Sequence, residues 1–186
     1  MAQPTRLWLI TGPPGIGKST IASRVIYLLR SRGYGVGGCL AKETRRGRQR
    51  VGFTVHDVMS GRQAELASSE GSLGPRVGRY RVNISGLAEV GARSLSEAAK
   101  QADVIVIDEV GPMELTSPEF KRGVEECLDS GKPVFAIIHE KMKDPLIEKL
   151  VGTPGKVLTE VTLQNREKLP ETIAGEILAT LPPVEL

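Results

Sequence analysis

"TGPPGIGKST", residues 11–20, holds one large apolar side chain, Ile16, and a single lysine placed directly after the third glycine. The run follows Leu7-Trp8-Leu9-Ile10 and precedes Ile21, Val25, Leu28 and Leu29, which recur at helical spacing until Gly33. That order predicts a buried strand, a tight loop and a helix. Within it, Gly12-Pro13-Pro14-Gly15-Ile16-Gly17-Lys18-Ser19 fits the pattern G-x-x-x-x-G-K-[ST] in full. Small residues let successive backbone N–H groups converge at the positive end of the helix, where a polyphosphate fits. Lys18 adds a mobile charge for the β- and γ-phosphates, the Ser19 hydroxyl is placed to ligate Mg²⁺, and Thr20 completes the nucleotide-binding run. The competing reading is a glycine-rich turn that merely packs tightly.

Beyond this opening the chain continues to alternate. Tyr34 to Leu40 is apolar, Lys42 to Arg50 is basic, and Val51 to Val58 partly alternates and turns at Ser60-Gly61, as in a strand of an antiparallel excursion. Arg79 to Asn83 reads as a further strand, and Leu87 to Lys100 as a helix with Leu95, Ala98 and Ala99 on its inner face. Val104-Ile105-Val106-Ile107 is the most hydrophobic run and, between helices, predicts a parallel strand covered on both faces. Helices near Ser117–Asp129, Pro145–Leu150 and Pro170–Leu181, with strands Val134–Ile138 and Val157–Val161, complete the pattern. The expectation is one domain over residues 1–186: an α/β three-layer P-loop fold with a mainly parallel central sheet and an antiparallel excursion. Its ligand should lie beyond the carboxyl ends of the strands.

The reaction is read from "VIVIDEVGPME", residues 104–114. Asp108 ends a buried run, so it falls at the carboxyl end of a central strand, beside the glycine loop if the two strands are neighbours. There it can hold Mg²⁺ through water. Glu109, one residue on, can orient or deprotonate a water attacking the γ-phosphate. The bland alternative is an acidic pair solvated at a strand end.

Several of these segments together resemble the small P-loop nucleoside-triphosphatase family of thermophiles, whose vertebrate member is called cancer-related nucleoside-triphosphatase. They are the glycine loop through Thr20, Asp108-Glu109-Val110-Gly111-Pro112-Met113-Glu114, Glu43-Thr44-Arg45 with Arg50-Val51-Gly52-Phe53, Gly78-x-Tyr80, and Asn165-Arg166. The resemblance covers about residues 6–170, and Ala64 to Arg76 matches poorly. It implies a RecA-like or kinase-like α/β fold and slow Mg²⁺-dependent hydrolysis of ATP, GTP and other nucleoside triphosphates to the diphosphate and phosphate, with broad base selectivity.

Secondary candidates follow. Arg45-Arg46-Gly47-Arg48-Gln49-Arg50 holds four guanidinium groups. Arg45 and Arg50 match the family segment and are candidates for stabilising the γ-phosphate in transit, whereas Arg46 and Arg48 read as a solvated hairpin tip. His139 follows a buried strand and is a candidate sensor of the γ-phosphate or the water. Asn165 and Arg166 resemble the family's base-side segment, where Arg166 would stack on the nucleobase and Asn165 competes as a helix N-cap.

Composition bounds the partners. The 25 Lys+Arg against 22 Asp+Glu leave a net +3, which permits a nucleic-acid partner without implying one. Cys39 and Cys127 lack metal-site spacing and read as buried reduced thiols. With no secretory leader pattern and no membrane-length apolar stretch, the expectation is a cytoplasmic protein, a monomer, binding nucleoside triphosphates. A nucleotide or small-molecule kinase and a nucleotide-dependent nucleic-acid-binding module remain as alternatives.

Overall fold

The computed structural model describes residues 6–139 and 141–185. Nine strands form one sheet: β1 (Leu7–Thr11), β2 (Val36–Arg46), β3 (Gln49–Asp57), β4 (Gln63–Ser68), β5 (Arg76–Val77), β6 (Tyr80–Val82), β7 (Val104–Val110), β8 (Val134–Ile138) and β9 (Val157–Glu160). Their spatial order is β5-β6-β4-β3-β2-β7-β8-β1-β9. From β2 to β9 every pairing is parallel, and from β2 to β5 every pairing is antiparallel. A parallel core thus carries an antiparallel wing.

The core strands are apolar throughout because both faces are covered. Trp8, Ile10, Val104, Val106, Phe135 and Ile137 pack on one face with α1 (Lys18–Ser31) and α6 (Leu169–Leu178). Their alternate neighbours Leu7, Leu9, Ile105, Ile107, Val134 and Ala136 pack on the other. That second face is covered by the helical turn α2 (Ile84–Gly86), the π-helical stretch Leu87–Ala92, α3 (Arg93–Gln101), α4 (Pro118–Asp129) and α5 (Pro145–Gly152). The three layers agree with the sequence expectation.

Four local readings are corrected. The strand predicted to stop at Leu40 continues to Arg46, because the basic stretch is solvated on the outward half of a hairpin turned at Gly47. β4 and β5 went unforeseen: Gln63–Ser68 has only two buried residues, Leu66 and Ala67, side by side, so no clean alternation marks it. The helix expected from Leu87 begins at Ile84, and Ala99 is only partly buried while Leu95 and Ala98 are fully so. Finally, β8 stands between β1 and β7, so the glycine-loop strand and the Asp108 strand are not neighbours.

β2 belongs to both halves of the sheet. Its first five residues, Val36 to Leu40, pair with Val104 to Asp108 of β7, and from Cys39 onward it pairs with β3 out to Arg46. Gly38, at φ +118°, allows this crossing point: a Cβ there would lie 1.9 Å from the Val106 carbonyl oxygen.

Candidate active site

The loop between β1 and α1 is built from its glycines. Gly15 and Gly17 have φ of 76° and 110°, conformations that other residues rarely adopt. Gly17 is the N-cap of α1 and has no side chain to satisfy the first-turn N–H groups, which leaves them for a ligand. Lys18 Nζ donates to the carbonyls of Gly12 (2.7 Å) and Pro13 (2.9 Å), so the ammonium folds over the loop it would serve.

Asp108 and Glu109 stand at the carboxyl end of β7, next to that loop despite the intervening strand. Asp108 is 5% exposed. Burial pushes its carboxyl up to about 7; the Ser19 hydroxyl and the Lys18 charge act in the opposite direction, and the Glu109 charge adds to the rise. A carboxylate held this way gains from a cation. Ser19 Oγ and the Asp108 carboxylate are hard oxygen donors of the kind Mg²⁺ uses when phosphates and waters fill its remaining positions. The expected metal therefore fits the residues present.

Glu109 Oε1 lies 3.0 Å from His139 Nε2, and that hydrogen bond is the main reason the His139 ring is held above its ordinary pKa. Gly111 makes the arrangement possible: a Cβ there would lie 2.7 Å from Glu109 Oε1 and 3.1 Å from His139 Cδ2. Beneath it, the buried Glu114 accepts a hydrogen bond from the Gly111 N–H at 3.2 Å. Burial drives the Glu114 carboxyl far above the usual carboxylate range. Gly111 and Glu114 were legible as parts of the motif string, with Glu114 a candidate for orienting the Glu109 segment, and their contacts place both in the turn that directly follows Glu109 and Val110 at the end of β7.

Arg166 reaches the glycine loop from the other side, donating to the Ile16 carbonyl at 3.3 Å. With Ile16, Thr20, Ile21, Arg24 and Pro170 it lines a 440 Å³ cavity at the start of α1. Asn165 does not cap the following helix. Its Oδ1 accepts from Thr162 N and its Nδ2 donates to the Glu160 carbonyl, which folds the turn after β9 that presents Arg166.

Arg45 and Arg50 are placed apart from this constellation. Both bind Glu43, Arg45 also donates to the Arg48 carbonyl, and Arg50 donates to the Tyr80 hydroxyl. These contacts hold them on the β2–β3 hairpin. Arg46 and Arg48 flank its turn, as the tip reading expected.

A second cavity, 620 Å³, opens on the far side of the glycine loop between Thr11, Gly12, Pro13, His139, Lys141 and Glu160. A glycine loop, a buried aspartate and a solvent-facing glutamate-histidine pair thus converge at the ends of β1, β7 and β8. The sequence matches the family model described as NTPase over residues 8–174. The chain belongs to this NTPase family. Among its relatives, nucleoside-triphosphatase THEP1 of Thermofilum pendens is 47% identical over 171 residues, covering 91% of this chain and 94% of the relative. Solved structures of similar NTPases share the fold. The crystal structure of THEP1 from the hyperthermophile Aquifex aeolicus has a TM-score of 0.78 at 32% identity, over 90% of this chain and 96% of that one. The solution structure of a human cancer-related nucleoside triphosphatase has a TM-score of 0.81 at 30% identity, over 96% and 100%. Among the described residues, no helix of this NTPase is long and apolar enough to cross a membrane.

Proposed function

We propose that the protein is a Mg²⁺-dependent nucleoside-triphosphatase that cleaves ATP, GTP and other nucleoside triphosphates to the diphosphate and inorganic phosphate. The observation that carries the proposal is the Glu109 carboxylate, turned toward His139 at 3.0 Å beside the buried Asp108. The names of the THEP1 relatives support it.

In this reading the triphosphate lies along residues 12–20. Lys18 exchanges its contacts with the Gly12 and Pro13 carbonyls for phosphate oxygens, and the first-turn amides of α1 face the same charge. Mg²⁺, held by Ser19 and through Asp108, supplies neutralisation of the phosphate oxygens when bound. Glu109 accepts a hydrogen bond from the attacking water and aligns it with the γ-phosphorus. His139, with a proton on Nε2, holds that carboxylate in place. Because Arg45 and Arg50 are engaged with Glu43, the proposal assigns γ-phosphate stabilisation to Lys18 and the loop amides. The base occupies the cavity beside Arg166, whose guanidinium stacks on any base face alike, hence broad selectivity. The free, buried thiols Cys39 and Cys127 suit a reducing cytoplasm, where the reading has the enzyme act as a monomer.

The test is phosphate release from purified ATP, GTP, CTP and UTP with no acceptor present, with and without Mg²⁺, beside the Lys18→Ala variant. Release from all four that needs Mg²⁺ and vanishes in a folded Lys18→Ala protein is expected. Undiminished turnover in that variant rejects the site. The second cavity favours one other reading, a kinase, since it is far larger than a water requires. Turnover that rises many-fold only with one nucleoside or nucleoside monophosphate would select it.

A further inference from the structure

The nearly balanced charge of the sequence is not evenly spread in space. Residues 43–50 and 70–81 contain seven of the chain's 15 arginines, Arg45, Arg46, Arg48, Arg50, Arg76, Arg79 and Arg81, and only two carboxylates, Glu43 and Glu70. The fold brings the two segments together at the outer end of the wing. Arg46 forms a two-pronged ion pair with Glu70 at 2.6 and 3.0 Å, Arg79 donates to the Arg50 carbonyl, Arg50 donates to the Tyr80 hydroxyl, and Arg76 pairs with Arg81 across β5 and β6. Arg45, Arg46, Arg48, Arg76 and Arg79 are exposed. This one end therefore carries more positive charge than the whole chain with its net +3.

The residue type matters. Guanidinium groups pair with phosphate through two parallel hydrogen bonds, whereas an ammonium acts as a point charge, and the two segments contain no lysine. Arg48, Arg76 and Arg81 form no ion pair among the described residues. The neighbouring rings are already covered: Arg50 lies 5.2 Å over Phe53 and Arg79 lies 5.2 Å over Tyr80. No ring in the cluster is left as a platform for bases, so the surface suits a sugar-phosphate backbone rather than a sequence.

We infer that the arginine-rich end of the β2–β6 wing is a docking surface for the phosphodiester backbone of a nucleic acid, bound without sequence preference. It is separate from the nucleotide site. Leu40 is level with Asp108, and Arg46 stands six residues further along β2, about 20 Å away at the rise of an extended strand. It is nonetheless tied to that site, because β2 is the strand that pairs with β7.

The test measures binding of fluorescent 20-nucleotide RNA, single-stranded DNA and duplex DNA by anisotropy between about 50 and 300 mM KCl, a range over which the Debye length falls roughly two- to threefold, without nucleotide. Expected is binding that is equal for homopolymers of different base and that weakens steeply with salt. The triple variant Arg48→Gln, Arg76→Gln, Arg81→Gln should bind at least about 30-fold more weakly and flatten the salt slope by about 2. The matching triple Arg→Lys variant, which keeps the charge and loses the paired hydrogen bonds, should bind between wild type and the Gln variant and keep the wild-type salt slope, which separates lost charge from lost folding. Phosphate release without nucleic acid should be unchanged in both, so the docking surface and the hydrolase reading fail independently. No binding to any strand at 50 mM KCl, equal binding by the Gln variant, or tighter binding to phosphatidylserine vesicles than to nucleic acid would each overturn the inference.

Discussion

Glu109 Oε1 and His139 Nε2 are 3.0 Å apart, joining the end of β7 to the end of β8 across the mouth of the glycine loop. Glu109 is the one carboxylate of the motif that faces a partner in the open; Asp108 and Glu114 are buried. Replacing it with glutamine keeps shape and removes the acceptor charge. Glu109→Gln should retain triphosphate affinity within about 3-fold while kcat falls about 10²–10⁴-fold. Nucleotide titration beside phosphate release distinguishes this from loss of binding, and an unaltered kcat would remove Glu109 from the mechanism.

Gly111 offers a test that touches no charge. A methyl group there would press on Glu109 Oε1 and His139 Cδ2, both ends of side chains that can yield without unfolding the core. Gly111→Ala should therefore lower kcat about 10–100-fold through displacement of Glu109, with KM and the thermal midpoint little changed. Wild-type turnover would show that the pair tolerates displacement.

Arg166 acts on the base in the proposed site. Its contact with Ile16 and its place on the 440 Å³ cavity predict that Arg166→Ala raises KM about 5–30-fold for all four nucleoside triphosphates alike, with kcat nearly constant. Steady-state kinetics across the four would check it. A loss confined to one base would mean edge recognition rather than stacking.

Asp57 closes the turn after β3. Burial would raise its carboxyl, but the Ser60 hydroxyl, Arg62 and the N–H groups of Met59 and Ser60 outweigh it, leaving it below its ordinary 3.8. A carboxylate depressed in the folded state stabilises above its unfolded pKa and loses that contribution as pH falls through the folded value. Asp57→Asn should thus lower the melting temperature at pH 7 by about 3–6 °C, with the gap from wild type shrinking below about pH 4. A constant gap down to pH 3 would assign the effect to packing.

Much of this architecture was legible in the chain itself. Four consecutive buried residues before Thr11 and four before Asp108 mark core strands, since only a strand covered on both faces tolerates such runs. The glycine pattern before Lys18 is equally readable, because converging N–H groups require small residues at fixed spacing. β4 was not legible, because its pair Leu66 and Ala67 breaks the period of two where the pairing with β3 shifts register.

Local chemistry along the chain was therefore enough to locate a strand, a glycine loop, a helix and the acids Asp108 and Glu109. Strand order was not, because pairing depends on which distant segments share hydrogen bonds, and β8 enters between β1 and β7 from some thirty residues further along. The same holds for His139 beside Glu109 and Gly111, and for the gathering of seven arginines from residues 43–50 and 70–81 at one end of the wing. Each is a contact between segments far apart in sequence, and only the closing of the sheet brings them within reach.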